Sequence, residues 1–179
     1  TTNGIAVVVV ADTLYGSAEP GATVAVYSSD YVPCGSGGFA DSVMVGMDSA
    51  FVFAGLPPDT YTVVAYDAAG GLGAMLTAVP VDMRVAFPDT TVSFDSLYTI
   101  AGVVLVDSAV RDSADVYVVG TGFHDVSDSA GHFELRGIPA GDCRVVASYE
   151  PGTYGELSDS VDVSLGTGGT RHQISFNLQ

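Results

Sequence analysis

The chain of 179 residues contains no lysine, no tryptophan, three histidines and only two cysteines. Its positive charge is five arginines against 21 acids, a formal net charge of -16. A surface of that sign repels phosphate backbones and anionic lipid, which excludes nucleic acid and membrane surfaces as partners. The longest apolar run, Ile5 to Ala11, is far short of the roughly 20 residues of a membrane-spanning helix, so no membrane insertion is expected. No charged-then-apolar leader opens the chain, as expected of an exported protein whose signal has been removed. Two cysteines without a C-x-x-C spacing are too few for a zinc site unless histidine joins them. Cys34 lies in the loop-like stretch "YVPCGSGG" and Cys143 in an apparent strand; they allow one disulfide, within or between molecules, or two idle thiols. No lysine follows the glycines of Gly35 to Gly38, so that stretch reads as a flexible loop and not as a phosphate cradle.

What the sequence does have is a repeat. Placing "GLP" on "GIP" superimposes Gly55 on Gly137 at a displacement of 82 residues. The same shift carries Phe51 to Phe133, Tyr61 to Cys143, Val63 to Val145, Ala65 to Ala147 and Phe94 to Phe176. Further upstream, "GATVAVY" answers "SADVYVV" and "GIAVVVVAD" answers "IAGVVLVD", at shifts about ten residues larger. The difference is a longer loop in the first copy, "SSDYVPCGSGGFADS".

Inside each copy apolar residues recur with period two. Phe133 and Leu135 point one way and His132, Glu134 and Arg136 the other, the pattern of half-buried strands. Between strands stand "GLPPD" and "GIPAGD", where glycine permits positive φ and proline fixes φ near -65°. The acids are mostly Asp, which favours turns over helices, and no window carries a helical stripe. About seven short strands per copy are too many for one sheet with a solvated face and suit two sheets packed together. The expected fold is all-β: two tandem immunoglobulin-like, prealbumin-like Greek-key β-sandwiches, residues 1–97 and 98–179, joined near "DSLYTI" with almost no linker.

At "TGFHDVSDSAGHFELRGIPAGDCRVVA" the chain resembles carboxypeptidase regulatory-like and Cna protein B-type modules, prealbumin-like sandwiches of bacterial surface and secreted proteins. The resemblance rests on the order of a strand "ADVYVV", an Asp-x-x-Gly turn at Asp128 and Gly131, alternating "HFEL", the "GIPAG" turn and a strand ending "VVA". It covers the second copy well and the first more loosely: the first reads "DSAF" without the turn glycine, and Cys143 stands where the family has the tyrosine seen at Tyr61. The resemblance implies a structural, extracellular role. Many modules of this type lock themselves with a Lys–Asn isopeptide bond or join through lysine, and a chain without lysine does neither. The transthyretin-like hydrolases would require a C-terminal Tyr-Arg-Gly-Ser motif, and this chain ends "RHQISFNLQ".

No G-x-S-x-G elbow announces a nucleophile, and no enzymatic activity and no cofactor are expected. The calcium candidates are Asp125 with Asp128 and Asp159 with Asp162, although no D-x-D-x-D-G loop occurs. Tyr15, Tyr31, Tyr149 and Tyr154 are the loop-placed aromatics available to a glycan. The function expected is a noncatalytic structural protein, secreted or displayed on a cell surface, that self-associates into a homopolymer such as a pilus-like filament. The opening strand, with Ile5, Val7 and Val9, is the candidate for donation to a neighbouring subunit's sheet. The alternative is a two-domain spacer or binding module of an adhesin or secreted hydrolase, with a glycan or protein ligand.

Overall fold

The structure, a computed structural model, describes residues 4–33, 35, 37–82, 87–150, 156–166 and 169–179. Among them the chain is all-β, with strands β1 (Gly4–Val10), β2 (Thr13–Ser17), β3 (Thr23–Ser28), β4 (Ala40–Met44), β5 (Ala50–Phe53), β6 (Asp59–Tyr66), β7 (Leu72–Val81), β8 (Phe87–Ser93) and β9 (Asp95–Ser96). Then follow β10 (Tyr98–Val106), β11 (Ala109–Val110), β12 (Asp115–Val118), β13 (His124–Val126), β14 (His132–Ile138), β15 (Gly141–Tyr149), β16 (Leu157–Leu165) and β17 (Arg171–Leu178).

Among the described residues every ladder joins strands on the same side of Leu97. Before it, the sheet β5-β2-β1-β8 faces the sheet β4-β3-β6-β7-β9. After it, β10, flanked by β14 and β11 on one edge and β17 on the other, faces β13-β12-β15-β16. Each pair of sheets encloses its own hydrophobic core. Ile5, Val7, Val9 and Leu14 meet Val24, Val26, Tyr61 and Val63 in the first. Ile100, Phe133, Leu135 and Phe176 meet Val116, Val118, Val145 and Ala147 in the second. The period-two reading is fulfilled: Phe133 and Leu135 are buried while His132 and Arg136 stay exposed.

The Asp-x-x-Gly turn shows why its residues are needed. Oδ1 of Asp128 accepts hydrogen bonds from the backbone N–H groups of Ala130 (2.8 Å) and His132 (2.9 Å). Gly131, at φ +76°, lies so close to β10 that a Cβ would come within 2.7 Å of the Val104 carbonyl oxygen. In the first copy the equivalent turn, Gly46 to Ser49, places Ser49 at φ 61°, with Asp48 accepting from the Ala50 N–H at 3.3 Å.

The copies differ in their pairings: β5 pairs with β2, whereas its counterpart β14 pairs with β10 itself. β17 runs parallel to β10, whereas β8 runs antiparallel to β1, with a bulge between Val7 and Val9. Phe94 and Phe176 are nevertheless both buried, so burial follows the repeat where strand direction does not.

Candidate interaction surfaces

Three surfaces stand out, and the first is the junction. Along β6 the inward residues Tyr61, Val63 and Ala65 alternate with Thr62, Val64 and Tyr66, which a sheet with one solvated face would leave exposed. Val64 is 3% exposed and Met75, from neighbouring β7, 6%. The Tyr66 hydroxyl donates to the Gly137 carbonyl at 2.9 Å. Gly73 lies against Leu97 and Pro139, and Gly141 against the Met75 terminal methyl. Loss of hydration at this joint raises the hydroxyl pKa of Tyr66, and also that of Tyr27, which packs on Gly122. The corresponding positions of β15 are Arg144, Val146 and Ser148, none of them buried. The sequence signal is the unbroken "TVVAY" at the end of β6, an apolar run of the kind left by strands covered on both faces.

The second surface is a cleft of about 550 Å³ beside that junction, with Thr62, Met75 and Thr77 on one wall and Cys143, Arg144 and Asp162 on the other. Arg144 donates to both carboxylate oxygens of Asp162, Nε at 2.7 Å and Nη2 at 3.2 Å. That contact holds the Asp162 carboxyl below its usual range. Burial first, then Asp142 and Asp162, push the Cys143 thiol up to about 11, so it is protonated at neutral pH and a weak nucleophile.

The third surface is the outer face of β5-β2-β1. Val8 stands beside Tyr15 and Tyr15 beside Val52, three strands in one row. Val10 is 55%, Val52 51% and Tyr15 47% exposed. The adjoining row is Ala6, Ser17 and Ala50, again without a charge. In a chain of net charge -16 this is an uncharged, partly apolar sheet face. The equivalent face over β10 is bordered by charge near the start of the strand. There Glu134 accepts from both Arg136 and Arg171, and these contacts lower its carboxyl pKa.

The residues singled out from sequence fall as follows. Ile5, Val7 and Val9 are wholly buried in their own sandwich, between β2 and β8. Cys143 is a free thiol, and Cys34 lies outside the described residues. Asp125 and Asp128 come together at one hollow, but their oxygens are engaged with backbone amides: Asp125 accepts from the Glu134 N–H at 2.6 Å, and Asp128 caps its turn. Asp159 accepts from the Ser160 N–H, and Asp162 is held by Arg144; three apart on β16, these two point to opposite faces. Among the described residues no three of His, Cys, Asp and Glu gather as metal ligands. Tyr31 packs on Tyr27 with ring centroids 5.1 Å apart, Arg111 lies over Tyr149 at 5.2 Å, and Tyr154 is outside the described residues. No helix among the described residues is long and apolar enough to cross a membrane.

No protein-family model matches the sequence, and no curated protein matches it. Among solved structures the chain is similar to BcpA, the major pilin subunit of Bacillus cereus, at 12% identity and a TM-score of 0.37, covering 93% of this chain and 63% of that one. It is similar also to the shaft pilin SpaA of Lactobacillus rhamnosus GG, at 12% identity and a TM-score of 0.34, covering 92% of this chain and 87% of that one. A tetra-tandem repeat from the extending region of a large adhesion protein follows at 19% identity and a TM-score of 0.24, covering 86% of this chain and 45% of that one. The superpositions are loose, as the low TM-scores record, and no assignment rests on them.

Proposed function

We propose that the chain is a noncatalytic structural subunit of an extracellular, surface-displayed filament, built of two sandwich modules, residues 1–97 and 98–179, that act as one stiff body. The observation that carries the reading is the uncharged outer face of β5-β2-β1, with Val10, Tyr15 and Val52 about half exposed on a chain of net charge -16. Such a face is where copies approach without setting carboxylate against carboxylate. The buried junction adds stiffness, since Val64 and Met75 are covered and Tyr66 is bonded across it. Sedimentation velocity of the whole chain tests the reading. Association that grows with concentration, and with salt as repulsion is screened, supports it. A monomer under all these conditions overturns it.

In a finer form of the same reading, assembly proceeds by strand donation. Because β1 already lies between β2 and β8, donation means exchanging β1 between copies. Removing Thr1 to Ala11 would then abolish assembly and leave the second module folded; normal assembly of the truncated chain would exclude it. A second reading, a two-module binding or spacer unit, is favoured by the cleft between the modules, with threonines on one wall and Arg144 paired to Asp162 on the other. It predicts a monomer whose Cys143 and Met75 signals shift on adding a glycan or protein ligand.

A further inference from the structure

The first strand of each half presents the same kind of outward face. β1 turns Ile5, Val7 and Val9 inward and shows Ala6, Val8 and Val10; β10 turns Ile100 and Val104 inward and carries half-buried Val103 and Leu105 on its other face, where Ala101 is covered. The two faces differ in relief. On the first, Tyr15 is 47% exposed in the row it shares with Val8 and Val52, beside a smaller hollow of about 350 Å³ lined by Ala6, Val8 and Ser17. On the second there is a hollow of about 640 Å³, floored by Ala101, Gly102 and Val103 and walled by Val126, His132, Arg171 and the carboxylates of Asp125, Asp128 and Glu134.

We propose that Tyr15 of one copy seats in the hollow over β10 of a second copy, so that the outer face of β5-β2-β1 packs on the β10 face of its neighbour. This deepens the reading of the chain as a filament subunit and rests on it. Three observations select a second copy as the occupant. The hollow suits a phenol: Ala101 and Val103 on the floor for the ring, the Asp125 and Asp128 oxygens that do not cap backbone amides as acceptors for the hydroxyl, and a guanidinium at its wall. The knob carries no charge, so entry into an acidic hollow brings no carboxylate toward Asp125 or Asp128. Arg171 at the hollow's wall and Arg136 next to it are both paired with Glu134, so of the carboxylates there Glu134 is neutralised and the entering knob meets Asp125 and Asp128. Knob and hollow belong to different halves, so the contact is heterologous. Unless its rotation closes a ring, each added copy leaves one knob and one hollow unfilled, and the copies extend as a filament.

The experiment uses full-length chains carrying Tyr15→Glu, which spoils the knob, or Val126→Glu, which adds a carboxylate to the hollow's wall. Both side chains are about half exposed, and equal melting temperatures show that folding is kept. Sedimentation velocity is expected to show polymers for the wild type, monomers for each variant alone, and a 1:1 pair of twice 18.3 kDa when the variants are mixed. Tyr15→Phe should polymerise with affinity reduced only a fewfold. If either Glu variant polymerises like the wild type, or the mixture stays monomeric while the wild type polymerises, this contact is wrong and the filament reading stands. If the wild type itself never associates, both fall.

Discussion

Tyr61 and Cys143 occupy the same place in the two copies and hold their strands differently. Tyr61 is fully buried and its hydroxyl donates to the Pro57 carbonyl at 2.8 Å, tying β6 to the turn before it. Tyr61→Phe should cost about 1 kcal/mol, the net worth of one such hydrogen bond, read from urea unfolding. Cys143 has no hydroxyl to reach back to its own turn; its thiol borders the cleft instead. Burial raises both groups: Tyr61 from 10.0 to about 12, with Asp59 and Asp30 adding to it, and Cys143 from 9.0 to about 11. Each folded pKa lies above the unfolded one, so the native state keeps its proton longer. The associated stability is complete below pH 9 and is lost as pH rises from 9.0 through about 11 for Cys143, and from 10.0 through about 12 for Tyr61. Unfolding free energy measured from pH 8 to 12 should fall across that window, and Cys143→Ala should remove its lower part. A flat profile would contradict the burial of these groups. The sequence placed Cys143 on a strand correctly because period two is a local property, but which neighbour a thiol meets across a junction is not.

At the scale of the element, turns were legible and strand pairing was not. The Asp128 turn and both Gly-Pro turns could be read because their chemistry is written in adjacent residues: a carboxylate reaching two backbone amides, and glycines at positive φ. Gly131 and Gly137 separate two reasons for a glycine. Both have positive φ, but a Cβ on Gly131 meets the Val104 carbonyl, while around Gly137 a Cβ meets nothing within 4 Å. Gly137→Ala should therefore cost about 1 kcal/mol for backbone strain alone, and Gly131→Ala on the order of 2–3 kcal/mol, compared by chemical denaturation. Equal costs would mean β10 yields freely at the turn. The matching "VSF" and "ISF" gave no warning that β8 runs antiparallel to β1 while β17 runs parallel to β10. An alternating pattern states which side chains go inward and leaves strand direction open.

At the scale of the whole molecule, the buried residues gather in two clusters, and how firmly these are joined is not written in the repeat. Thr62, Val64 and Tyr66 alternate with the inward residues of β6, and the burial of Thr62 and Val64 and partial burial of Tyr66 under the second half follow only from the tertiary arrangement. The joint couples the halves, so the wild type should unfold in a single transition. Val64→Asp, which places an unpaired carboxylate in the joint at a cost on the order of 3 kcal/mol, should split calorimetric unfolding into two. The charge pattern reaches further. A net charge of -16 sets copies against one another in dilute salt-free solution, and the rows of β5-β2-β1 add no carboxylate to that repulsion. Native material of a filament subunit forms fibres. Negative-stain microscopy before and after reductant should show long regular filaments of 18.3 kDa units that survive reduction, since the faces described here are noncovalent and Cys143 is a free thiol. Monodisperse monomers before and after treatment would contradict it.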